Sequence, residues 1–253
     1  MPPASGWVFA KAELLSEIAE KPIKDWAPEA QRVKEWFAAN RHLMSANGVW
    51  FAGGEPGTTP AGQFLPSQVR VLIVRLSEYS EVAAGITHTY LYQMAAAIPG
   101  CFVDMAFLPP ERDEKLMLAG KIPLLTGTNT KMPAAAFDII AISNSVVQEL
   151  LNLPAMLHFS GIPLSCAARS KAASPLLILG GSNSCVHSIL HGPTRQGADP
   201  GLVDAVLMGD GEKSLAAIIE TVKNSACQNR SELLKKLRVS VHVVALPHDQ
   251  IFA

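Results

Sequence analysis

From Val69 onward the chain alternates short apolar runs with longer amphipathic ones, and this alternation constrains its fold more than any other feature. The runs are "VRVLIVRL" (69–76), "CFVDMAFL" (101–108), "FDIIAIS" (137–143), "PLLILGG" (175–181) and "VDAVLMG" (203–209), each rich in Val, Ile and Leu and of single-strand length. Between them 84–98, 111–119, 145–159 and 187–192 read as helices, with a closing helix at 212–225. Strands that are apolar throughout need cover on both faces, so the alternation predicts a parallel sheet between helical layers. Five such strands fit an α/β fold, flavodoxin-like (Rossmann-like), in the strand order 2-1-3-4-5.

Ahead of this unit, residues 1–66 read as a helical and irregular N-terminal extension. "KAELLSEIAEKPIKDW" and "APEAQRVKEWFAANRHLM" space their apolar residues by three and four, and Pro28 suits a first helical turn. "NGVWFAGGEPGTTPAGQFLP" then gathers Gly, Pro and Thr as a loop does, although Trp50 and Phe51 suit packing on the next domain. Residues 67–230 form the α/β domain, and 231–253 read as a C-terminal connector.

Composition removes several function classes. A formal charge of −1 with no long basic block gives no reason to expect nucleic acid or an anionic membrane as partner. The opening "MPPASGWVFAKAELL" lacks the pattern of a secretory signal, and Asp138 interrupts the apolar stretch around it well below membrane-spanning length, so a cytoplasmic location is expected. Cys101, Cys166, Cys185 and Cys227 form no C-x-x-C pair and read as buried or idle thiols.

In an open parallel sheet, ligands bind outside the carboxyl ends of the strands, where the strand order reverses. Four small, polar segments are expected there: "SEYSEVAAG", "SNSV", "GGSNS" and "GDGE". Taken singly, each has an ordinary structural reading. Gly180-Gly181 suits a tight turn, Ser143 a helix N-cap, and Asp210-Gly211 a turn with Glu212 in the next helix's first turn. Their joint placement points to a large, flat or phosphate-bearing ligand. No dinucleotide fingerprint, P-loop, nucleophile elbow or H-E-x-x-H motif is present. His88, His158, His187 and His191 are scattered and read as surface or satisfied structural residues.

The combination "FDIIAISNSVVQELLNLPAMLHFSGIPL", "PLLILGGSNS" and "VDAVLMGDGEKSL" resembles the N-terminal cobalamin-binding domain of cobalamin-dependent radical S-adenosylmethionine (SAM) proteins. "EWFAANRHLMSANGVWFAGGE" resembles the leader of one branch, and the likeness spans about residues 35–250. It implies that cobalamin lies over the strand ends. Its contacts would be Ser77, Glu78 and Thr87 after the first strand, and Ser143, Asn144 and Ser145 after the third. Gly180, Gly181, Ser182 and Asn183 would follow from the fourth, with Gly209, Asp210 and Gly211 at the far turn.

Two departures qualify what the resemblance implies. "SEYSEVAAGITH" lacks the D-x-H-x-x-G that supplies a cobalt-ligating histidine, and "HFSG" (158–161) stands on the wrong element, so cobalamin is expected base-off without a protein histidine. No C-x-x-x-C-x-x-C is present, and no iron–sulfur cluster is expected in this chain. About 40 residues follow Gly211, against about 250 for a complete barrel of the TIM type. The expectation is a module inactive alone, whose radical SAM domain lies in a separate chain or is missing. The alternatives are a small flavodoxin-like enzyme using a flavin or nucleotide, for which Tyr79 is the one well-placed aromatic, and a ligand-free interaction domain.

Overall fold

The computed structural model describes residues 26–45, 60–172, 174–182, 202–207, 211–225, 230–240 and 243–245. Its centre is a sheet of β1 (Val69–Glu78), β2 (Cys101–Leu108), β3 (Ile139–Ser143), β4 (Leu176–Gly180), β5 (Ala205–Leu207) and β6 (Val243–Ala245). The order is β2-β1-β3-β4-β5-β6, with every pair parallel except β5 and β6. The expected five-strand order is therefore present. Residues 231–253, read from sequence as a connector, contribute β6 as an antiparallel edge strand.

Burial explains why these runs are strands. Along β1, Val69, Val71 and Ile73 enter one core cluster, while Leu72, Val74 and Leu76 enter another on the opposite face. A fully buried Leu, Ile or Val contributes roughly 1.5–3 kcal/mol, so a one-residue slip would exchange both faces and lose neither set cheaply. The first face is covered by α1 (Ala27–Asn40) through Val33 and Phe37, by α3 (Thr87–Ala96) through Tyr92 and Ala95, and by α7 (Gly211–Lys223) through Leu215, Ile218 and Ile219. α8 (Arg230–Ser240) adds Leu237 to it. The second face is covered by a 3-10 segment at Val147–Asn152 and α5 (Leu153–His158), through Leu150, Leu153, Met156 and Leu157.

Two helices depart from the expected boundaries. The helix expected at 84–98 is α3, which starts only at Thr87, and a short helix ahead of it, α2 (Tyr79–Val82), was not anticipated. The helix expected at 145–159 starts as the 3-10 segment and becomes α-helical only at Leu153, because Pro154 has no N–H and fits only a first helical turn. α4 (Glu111–Ala119) falls where expected, and α6 (Cys166–Lys171), capped by Ser165 Oγ accepting from Ala168 N, was not anticipated. The segment 187–192 lies outside the described residues.

Two buried carboxylates fasten the loops. Asp104 of β2 accepts from Asn129 N, Thr130 N and both Thr128 and Thr130 hydroxyls. Asp204, ahead of β5, is fully buried between Arg169 and Arg230 and also accepts from Leu177 N at 2.7 Å. No helix among the described residues is long and apolar enough to cross a membrane.

Candidate ligand site at the strand-order switch

The strand order reverses between β1 and β3, and the segments leaving their carboxyl ends diverge there. They open a pocket of about 620 Å³, within the range of small-molecule sites. Its walls are the end of β1 (Arg75, Leu76, Ser77), the connection to α3 (Glu81, Val82, Gly85, Thr87, His88), Leu108 of β2, and the β3 loop (Ser145, Val146, Gln148, Glu149, Asn152).

At its base lies a charged network. Arg75 pairs in register with Ser143, which sets the guanidinium over the β3 loop. Its Nη1 donates to Ser143 Oγ at 3.3 Å and to Ser145 Oγ at 2.9 Å, and its Nη2 lies 3.6 Å from Glu149 Oε1. Glu149 Oε2 accepts from Asn144 Nδ2 at 3.1 Å, Ser145 N at 3.2 Å and Val146 N at 3.4 Å, while Ser77 Oγ donates to Oε1. The backbone donors are those at the head of the 3-10 segment, so Glu149 caps the turn that carries it. The Arg75 and Glu149 side chains are only 5% and 11% exposed, and stripping one partner from such a pair costs about 3–5 kcal/mol. Arg75 Nε and Asn144 Oδ1 are buried without a hydrogen-bonding partner.

The structure places the sequence-derived site residues differently. Ser77, Thr87 and Ser145 line the pocket. Ser143 and Asn144 lie buried beneath it, and Glu78, at the head of α2, donates its N–H to Glu81 Oε2 at 3.0 Å. Gly180 and Gly181 adjoin the β3 loop: Gly180 O accepts from Asn144 N at 2.9 Å, and a Cβ on Gly181 would stand 2.0 Å from Asn144 O. Gly181 thus serves a close backbone approach between two strand ends, at φ +112°. Ser182 is exposed, and Gly211 starts α7 beside Leu91, away from the pocket lining. Asn183, Gly209 and Asp210 lie outside the described residues.

Arg75, Glu149 and Asn152 escaped the sequence reading. A readable signal was Arg75 itself, a charge that follows the apolar run Val71–Val74 near the carboxyl end of its strand. His88, read as surface or structural, is 1% exposed, packs edge-on against Phe107 with centroids 5.5 Å apart, and lines the pocket. Tyr79 is engaged the same way, edge-on to Phe107 at 5.1 Å. His158 lies beside Phe159, and His187 and His191 fall outside the described residues. Burial pushes the thiols of Cys101 and Cys166 up to about 12; Cys185 and Cys227 are not among the described residues. Among the described residues, no three His, Cys, Asp or Glu side chains gather as a metal site.

A family model described as "Radical SAM proteins, N-terminal" matches residues 87–247, from the start of α3 to just past β6. It takes in the pocket walls from Thr87 through Asn152 and leaves β1 outside. No curated protein matches the chain, and neither does any solved structure.

Proposed function

The chain belongs to the family of radical SAM proteins' N-terminal regions, and from that membership we propose that it is the cobalamin-binding module of a radical SAM protein. The observation that carries the reading is the pocket at the β1/β3 switch point of a 2-1-3-4-5 sheet, with its polar lining.

The residues present suit a corrinoid. Ser77, Thr87, Ser145, Gln148 and Asn152 give the pocket hydroxyl and amide walls, which match a ligand edged with amides. Arg75 Nε and Asn144 Oδ1 leave one donor and one acceptor unpartnered beneath it. About 620 Å³ suits the nucleotide tail. When bound, cobalamin would supply a group-transfer centre. The chain's own residues orient the ligand and keep water from its buried part. Catalysis is assigned to a radical SAM domain that carries the iron–sulfur cluster, the partner of this module.

Cobalt is proposed to take no protein histidine, and His88 is the histidine that tests this, because it lines the pocket. The purified chain, incubated with hydroxocobalamin and passed through gel filtration, should retain the corrinoid with a base-off visible spectrum that His88→Ala leaves unchanged. Elution of free corrinoid would refute binding, and a spectral shift in His88→Ala would refute the coordination.

A further inference from the structure

We infer that the base of the switch-point pocket is a phosphate site which the chain fills with its own Glu149 carboxylate, and that a phosphate group entering the pocket displaces it. Five donors from two separate strand ends converge on that carboxylate: Arg75 Nη2 and Ser77 Oγ from β1, and Asn144 Nδ2, Ser145 N and Val146 N from the β3 loop. Capping the turn would need only the two backbone donors. A phosphodiester offers this set the same two oxygens and single charge as a carboxylate, and a phosphomonoester offers three oxygens.

Two further observations point to a ligand. Arg75 lines the pocket, is 5% exposed, and its buried Nε has no partner even with Glu149 in place, so the cradle has more donor capacity than the carboxylate uses. Glu149 also rides on a 3-10 segment, whose hydrogen bonds are poorer than an α-helix's. Solvent lies beside that segment, since its Leu151 is 78% exposed and the preceding Val146 48% exposed. Glu149 can therefore turn toward solvent while the arriving phosphate replaces its charge beside Arg75. Glu81, the other carboxylate of the lining, opposes an anion and favours one whose charge is held against Arg75.

The inference rests on the corrinoid reading only for the source of the phosphate, which a cobalamin nucleotide tail and a free nucleotide share. The test is thermal unfolding of Glu149→Ala in phosphate-free buffer, titrated with inorganic phosphate against chloride at matched ionic strength. Phosphate should raise the variant's Tm saturably, with an apparent Kd about tenfold or more tighter than the wild type's, since the internal competitor is gone. Adding Ser77→Ala should weaken that response. Should Glu149→Ala fold only when phosphate is present, that dependence supports the site equally. Glu149→Gln, which keeps the side chain's length but removes its charge, supplies a second background in which phosphate should again stabilise. Absence of any phosphate response beyond chloride in both variants overturns the inference. Comparison of cobalamin, cobinamide (which lacks the tail) and adenosine monophosphate then identifies the source. A phosphate response without corrinoid retention would leave the site standing and refute the corrinoid reading, and retention without a phosphate response would do the reverse.

Discussion

Gly180 and Gly181 stand side by side, yet alanine should affect them very differently. A Cβ on Gly181 would lie 2.0 Å from Asn144 O, 2.8 Å from Asn144 C and 2.9 Å from Asn144 N, all backbone atoms that no rotamer change can move aside. Its φ of +112° is also far from any region an L side chain favours. Backbone strain of this kind costs on the order of 1–3 kcal/mol, and relief of the clash means parting the β3 and β4 ends, where Asn144 N donates to Gly180 O at 2.9 Å. Loss of that bond adds about 1 kcal/mol, for a sum of roughly 2–4 kcal/mol. At Gly180 a Cβ meets Leu207 Cβ at 3.5 Å, an ordinary contact, and alanine there should be neutral or stabilise by about 0.4–1 kcal/mol through the unfolded chain. At 2–4 °C per kcal/mol for a chain of this size, Gly181→Ala should lower Tm by about 4–16 °C while Gly180→Ala leaves it within about 4 °C. Differential scanning calorimetry of the two variants reads this directly. Equal losses, or a larger one at Gly180, would refute the assignment of Gly181 to a strand-end contact.

Asp204→Asn should destabilise by about 3–5 kcal/mol in urea unfolding, because Arg169, fully buried, and Arg230 would both lose their anionic partner; a loss under about 1 kcal/mol would contradict the pairing. Lys131, 8% exposed, has its ammonium pushed down to about 8, chiefly by burial, although Asp104 opposes the shift. The folded state then binds fewer protons than the unfolded between about pH 8 and 10.5, so this group's contribution to stability should grow as pH rises through that window. Relative to Lys131→Met, the wild type should gain on the order of 3 kcal/mol across the window, and parallel stability curves for the two would show that the ammonium is not perturbed.

The sheet was legible because its runs are apolar on both faces, which only a covered parallel strand tolerates; Val71 and Leu72 enter opposite clusters, as that reading requires. Helix breaks were less legible. Pro154 could have located the start of α5, but the late start of α3 at Thr87 depends on how the loop around Gly85 packs. In the site, hydroxyl and amide residues after β1 and β3 were readable by type and position, and Ser77, Thr87 and Ser145 do line one pocket. The pairing of Arg75 with Glu149 was not, since it arises from the register of Arg75 against Ser143, and register between distant strands leaves no mark in a single sequence. For the same reason the sequence could show that Gly181 needed freedom but not that Asn144 O demands it. β6 is only three residues long and gives no pattern to read.

Hydrogen–deuterium exchange of the chain with and without hydroxocobalamin tests both binding and place in one measurement. Expected on adding the corrinoid is protection of peptides covering Ser77–His88 and Ser145–Asn152, the two walls of the switch-point pocket, with little change in α4 and α8, which supply none of its lining. Unchanged exchange throughout, or protection confined to segments outside those walls, would contradict a corrinoid site at the β1/β3 switch.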